Sequence, residues 1–171
     1  MNFFHSIKLI DAQAIRQTPK IDRRLRRMTA EFVRTLADGQ AGFPALLDAI
    51  EAYLESSEVP PIAAAQLMVA FDEIISNILN HGGKSGQSPT VDVSMGIEGA
   101  VDGGRIRAEV TDDGQAFDPL AAPPPDTGLS LDERAIGGLG IHLVRKLMTE
   151  VAYVREAGRN RLRFSKNYTL D

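Results

Sequence analysis

Between residues 60 and 83 the hydrophobic positions recur at helical spacing. Leu67, Phe71, Ile74, Ile75 and Ile78 fall on one face of a helix that starts after Pro60-Pro61 and stops at Gly82-Gly83. Gln66, Glu73, Asn77 and Asn80 lie opposite, and Glu73 and Asn77, one turn apart, project over the same patch. Residues 43–54 share the period, with Leu46, Leu47, Ile50 and Tyr53 or Leu54 on one side. Residues 28–36 are strand-like, with Phe32, Val33 and Leu36 as core candidates, and a turn follows at 38–42. Val91, Val93, Met95 and Ile97 alternate, Asp102-Gly103-Gly104 turns the chain, and Ile106, Ala108 and Val110 alternate again, which predicts a hairpin. From 118 to 138 the pattern fails: Pro119, Pro123, Pro124, Pro125 and Gly128 break any regular element. A structureless stretch of roughly twenty residues inside a compact domain is usually functional or mobile. Ile141, Val144, Leu147, Met148 and Val151 restore helical spacing, and a second hairpin, 151–155 with 162–165, turns at Gly158-Arg159-Asn160.

Strand, helix, helix, hairpin, loop, helix, hairpin is the order of an α+β fold. It predicts a two-layer sandwich with a mostly antiparallel sheet and helices on one face. The polar stripe of the Glu73 helix then faces away from the sheet, towards the long loop. With 171 residues, 43% hydrophobic and 25% charged, the chain suits one domain at 27–171 behind an N-terminal extension at 1–26. The absence of cysteine excludes disulfides and thiolate metal sites, and His5, His81 and His142 are too scattered for a histidine zinc site. No uninterrupted apolar run approaches about 18 residues, and the first residues are too short in apolar content for a secretion signal, so a cytoplasmic protein without a membrane span is expected. A net charge of −4 disfavours nucleic acid. The basic stretch Arg16, Lys20, Arg23, Arg24, Arg26, Arg27 and Arg34 lacks aromatic platforms and reads as a solvated face or a protein-docking surface.

Three stretches carry candidate chemistry. No lysine or arginine occurs between Pro60 and Gly83, so the Glu73 stripe lacks the mixed charges of an ordinary solvated face. A carboxylate beside a carboxamide suits a divalent cation and a reacting hydroxyl, although this stretch alone also fits a solvated helix. In 110–119, Asp112, Asp113 and Gly114 end a strand where the loop begins. A carboxylate there can accept from an exocyclic amine, and the glycine lets a flat ring come close; the same residues also make a plain turn. In 136–142, Gly137, Gly138 and Gly140 enter a helix, where free N–H groups can hold phosphates or the segment can serve as a linker. It matches neither a Walker motif nor a dinucleotide fingerprint.

Taken together and in this order, the three stretches closely resemble the asparagine box and the two glycine boxes of the GHKL ATPases. The nearest likeness is to the anti-sigma-factor serine/threonine kinase branch, through Phe117-Asp118-Pro119, the run 138–148 and Gly158-Arg-Asn-Arg-Leu162. The resemblance covers about residues 28–168 and implies a Bergerat ATP-binding fold with 119–137 as a lid. It implies Glu73 as general base, Asn77 as ligand to Mg²⁺, and Asp112 as acceptor for the adenine amine, with Gly114 under the ring. Gly138, Leu139 and Gly140 would cradle phosphate. Asn160 falls near the adenine aspartate, where relatives often carry a hydroxyl residue. Ala116 stands where glycine is common, and Ile136 where some relatives have a basic residue, Arg134 being the nearest substitute. The implied function is an ATP- and Mg²⁺-dependent regulator that phosphorylates a serine or threonine of an anti-anti-sigma (STAS) partner. Sigma-factor binding and homodimer formation lie within the family's range. The alternative is an ATP-controlled protein-binding module without phosphoryl transfer. A two-component kinase would need a phosphoacceptor-helix domain, which residues 1–26 are too few to supply.

Overall fold

The computed structural model of the chain describes residues 27–28, 31–84, 86–100, 102–121 and 139–170. Strands β1 (Arg27–Met28) and β2 (Phe32–Leu36) lead through a short 3-10 turn (Gly39–Ala41) to helices α1 (Phe43–Ser56) and α2 (Pro61–His81). Hairpin β3 (Val91–Ala100) and β4 (Gly103–Asp112) follows, then α3 (Leu139–Leu147) and hairpin β5 (Glu150–Glu156) and β6 (Arg159–Thr169). The strands form one antiparallel sheet in the order β1-β3-β4-β6-β5, with β2 on the same edge of β3 as β1. The expected α+β sandwich is what the chain adopts.

Register explains where the core ends. Met95, Ala108, Phe164 and Val151 face one another across four strands, and Val93, Val110, Leu162 and Tyr153 form the next row. The row beyond is Val91, Asp112, Asn160 and Arg155, so the floor turns polar at one end of the sheet. Because side chains alternate with a period of two, all three rows point to the same face.

That face is covered by α2. Leu67, Ala70, Phe71 and Ile75 are fully buried, and the Phe71 ring meets Phe164 edge-on with centroids 5.1 Å apart. Pro61 opens the helix and Gly82 closes it by donating its N–H to the Ile78 carbonyl at 2.7 Å. Burying an aromatic of this size contributes on the order of 3–5 kcal/mol, the usual cost of its removal from a core. Helix α1 adds Leu46, Ile50 and Leu54 to the same core, and Phe32 packs against Tyr53 with centroids 5.3 Å apart. By length and mean hydropathy, 1.5, α2 would pass for a membrane span, although the sequence shows no uninterrupted apolar run because Asp72 and Glu73 divide it. Here its apolar face lies on the sheet, the packing of a core helix.

The opposite sheet face is laced with ion pairs: Arg107–Glu98 at 2.6 Å, Arg163–Glu109 at 2.6 Å, Arg159–Asp92 at 2.5 Å, and Arg105 with Glu150. Four sequence expectations shift. The strand expected over 28–36 is two strands. Helix α3 ends at Leu147, leaving Met148 in the connection and Val151 in β5. Gly103 and Gly104 belong to β4, opposite Ala100 and Gly99. The last turn is Ala157-Gly158, both at positive φ (50° and 79°), which matches strand twist and puts Arg159 and Asn160 inside β6. The N-terminal extension, the basic residues 16–26, Arg134, Ile136, Gly138 and the lid beyond residue 121 lie outside the described residues.

Asp92 offers a test of the outer face. Burial works against its charge, but hydrogen bonds from Thr35 and Arg159, together with the Arg159 charge, hold its carboxyl below the ordinary 3.8. A depressed carboxyl contributes stability that is fully present above that ordinary value and is lost as pH falls through the folded one. Asp92→Asn should cost ~1 kcal/mol or less, as half-exposed pairs do. In urea titrations the gap to wild type should stay constant at neutral pH and close below about pH 4.

Candidate functional site

Where the polar row meets α2, the fold leaves a cavity of about 320 Å³. This falls within the roughly 300–1,000 Å³ usual for small-molecule pockets. Ile74, Ile78, Val110, Ile141 and Leu162 supply apolar walls, and Asn77, Asp112 and Asn160 supply converging polar groups. Ala116, Phe117 and Pro119 form one rim, and Tyr153 stands at the sheet side.

Asp112 is 4% exposed, and its two hydrogen bonds both end on Oδ1, from the Gly114 N–H at 2.8 Å and from Asn160 Nδ2 at 2.9 Å. Its Oδ2 has no hydrogen-bond partner among the described residues, so an acceptor oxygen is left to the cavity. Gly114 is sterically required. A Cβ there would lie 2.6 Å from Asp112 Oδ1 and 2.6 Å from the Gly82 carbonyl oxygen. The segment after β4 is strapped to the end of α2: the Gln115 N–H donates to the Gly82 carbonyl at 3.1 Å, and its Nε2 to the His81 carbonyl at 2.8 Å. Helix-end carbonyls that would otherwise lack partners are thereby satisfied.

Asn77 lines the cavity, whereas Glu73, one turn earlier, points past it to α3. A Cβ on Gly140 would overlap the Glu73 carboxylate, so this glycine lets the first turn of α3 close directly onto Glu73. The polar stripe of α2 is therefore divided. Asn80 stays outside the cavity and accepts a hydrogen bond from Gln40 at 2.9 Å. Among the described residues there is no cluster of three or more acidic or histidine side chains able to hold a metal unaided. An oxygen-seeking cation such as Mg²⁺, which keeps waters and shares phosphate ligands, needs only one or two protein oxygens, and the Asn77 carboxamide is of that kind.

Residues 37–166 match the family described as the histidine kinase-like ATPase domain. The chain belongs to that family. This match bears out the resemblance read from the sequence. Over 96 residues, 56% of this chain, it is 29% identical to the serine/threonine-protein kinase BtrW of Bordetella bronchiseptica, and this stretch spans 65% of that relative. A crystal structure of the RsbU and RsbW domains of Rv1364c from Mycobacterium tuberculosis superposes with a TM-score of 0.60 at 17% identity, covering 84% of this chain and 34% of that one. That likeness establishes the fold.

Of the residues singled out in the sequence, Asn77, Asp112, Ala116 and Asn160 share the cavity, Gly114 shapes it, and Glu73 and Gly140 meet beside it. Leu139 opens α3, and Gly138 lies just outside the described residues. Sequence reasoning missed Tyr153 and Arg155, both of which donate to Asn160 Oδ1, at 2.9 and 2.6 Å. The available signal was their alternation on the strand facing Asn160, which the displaced turn concealed.

Gly114→Ala should lower stability by about 1–3 kcal/mol, because the obstructing Gly82 carbonyl is backbone and cannot swing aside. Thermal unfolding of the purified variant checks this. An unchanged midpoint would mean that the strap to α2 yields easily.

Proposed function

We propose that this ATPase-family domain binds ATP with Mg²⁺ in the cavity and transfers the γ-phosphoryl group to a serine or threonine of a small partner. The observation that carries the reading is Asp112, a buried carboxylate lining a largely apolar cavity, whose Oδ2 has no hydrogen-bond partner among the described residues and which lies beside a glycine that tolerates no side chain. An adenine presents an amine donor and a flat face, which suits both features. Asn77 would hold Mg²⁺ through its carboxamide oxygen, and the N–H groups of Gly138, Leu139 and Gly140 at the start of α3 would face the phosphates. Gly114 and Ala116 would lie along the ring, with Asn160 supporting Asp112. Bound Mg²⁺ supplies charge neutralisation on the phosphates.

Glu73, against the first turn of α3, is suited to receive the proton of the attacking hydroxyl. In that step the O–H bond breaks towards Glu73, a new O–P bond forms, and the bond to the β-phosphate breaks to release ADP. The relative named a serine/threonine-protein kinase supports this chemistry. By the resemblance of its motifs to the anti-sigma-factor kinase branch, the partner class would be an anti-anti-sigma (STAS) protein, with sigma-factor binding as a companion activity. The setting proposed is cytoplasmic, and the domain proposed is 27–171.

Two sets of variants test the assignment. Glu73→Gln should keep ATP affinity and lose about 10²–10⁴ in transfer of labelled phosphate to a STAS partner. Asn77→Ala should lose Mg-ATP binding as well, and Asp112→Asn should lose ATP binding while the protein stays folded. If wild type binds both ATP and the partner but transfers no label, the domain is a nucleotide-controlled binding module. Gly140→Ala is the sharper probe. The atom it would strike is the end of a flexible side chain, so stability should change by less than about 1 kcal/mol. Transfer should nevertheless fall, because Glu73 is displaced.

A further inference from the structure

Asn160 is held by five hydrogen bonds that leave its carboxamide one orientation. Its Nδ2 donates to Asp112 Oδ1 at 2.9 Å and to the Gln115 carbonyl at 2.8 Å. Its Oδ1 accepts from Arg155 at 2.6 Å, from Tyr153 at 2.9 Å and from the Phe117 N–H at 3.4 Å. A phenol can donate or accept, but a guanidinium and a backbone N–H only donate. Turning the amide over would set its oxygen against two acceptors and its NH₂ against these donors.

Arg155 makes no ion pair among the described residues, whereas Arg159, Arg161 and Arg163 on the neighbouring strand all meet carboxylates. Its remaining bonds run to backbone, to the Gly158 carbonyl at 2.8 Å and the Gly114 carbonyl at 3.4 Å. Register makes this arrangement structural. Arg155 sits opposite Asn160, and Asn160 opposite Asp112, on one row of the sheet. The guanidinium, the amide and the carboxylate form a chain from the edge strand to the cavity.

We propose that Arg155, seconded by Tyr153, is a positioning residue that sets base selectivity. By locking Asn160 it prevents Asp112 from rolling, so that Oδ2 presents a fixed acceptor suited to a six-amino purine and repelled by the oxygen of a six-oxo purine. Released from the lock, the carboxylate can turn to accept the N1–H that a six-oxo purine offers. The inference rests on the nucleotide reading above and adds its specificity.

ATP and ITP, which differ at the six position and the N1 proton, are the probes, with affinities measured by calorimetry on the full chain. Wild type should prefer ATP. Arg155→Met should narrow the ATP-over-ITP ratio by about tenfold, the scale of one charge-assisted hydrogen bond, with part of the ratio restored in Arg155→Lys. Tyr153→Phe, which keeps the ring, should narrow it by about threefold, and it decides the matter if Arg155→Met does not fold. A purely structural role would weaken both nucleotides alike, so an unchanged ratio in the folded variants overturns the proposal while leaving the nucleotide reading in place. So does a wild type that binds ATP and ITP equally. A wild type that binds neither overturns the nucleotide reading itself, and this inference with it.

Discussion

The carboxylate of Asp112 sits in the polar row that ends the otherwise apolar rows of this sheet face, and its neighbourhood is arranged around satisfying one of its two oxygens. A buried acceptor without partners costs about 1–3 kcal/mol, more when it is charged. Here Oδ1 receives the Gly114 N–H and the Asn160 amide, and the Asn160 amide is in turn held from the edge strand. The fold thus places a rigid polar row where the hydrophobic floor stops, and the cavity opens above that row.

Helix α2 serves both sides of this boundary. Its middle turns pack Leu67, Phe71 and Ile75 onto the sheet, and the turns beside and beyond them bring Asn77 and Ile78 to the cavity. Since core packing tolerates little displacement, the polar residues inherit the position of the apolar ones. The close approach of α3 at Gly140 adds Glu73 to the same neighbourhood without placing it among the residues that line the cavity. Under the proposed function, binding and proton transfer would fall to adjacent turns of one helix, held by one core.

Much of this was legible residue by residue. Helical spacing identified the face of α2, and alternation identified β3 and β4 with their buried residues. The position of Asp112 at a strand end, followed by Gly114, marked the cavity rim. The second hairpin was misread at its turn. Gly158 and Asn160 are turn-forming residues by type, yet the chain turns at Ala157-Gly158 and carries Asn160 on into the strand. An alanine at positive φ is not a local preference, so the flanking strands must impose it. A one-residue difference in register moves every side chain to the other face, which is why Tyr153 and Arg155 could not be recognised as neighbours of Asn160.

The sequence by itself determined the elements, the layer arrangement and the residue types able to do chemistry, because those follow from periodicity, turn residues and the donors and acceptors each side chain carries. Only the tertiary structure decided that the polar stripe of α2 divides between a cavity and a helix contact. It also decided that Asn160, which the family resemblance put near Asp112, donates to its Oδ1, and that Arg155 holds the Asn160 amide. The physical reason is distance along the chain. Asp112 and Asn160 are 48 residues apart, and their pairing depends on where two hairpins turn and how their strands slide together. Local spacing carries no information about that alignment until the apolar rows beside it have closed.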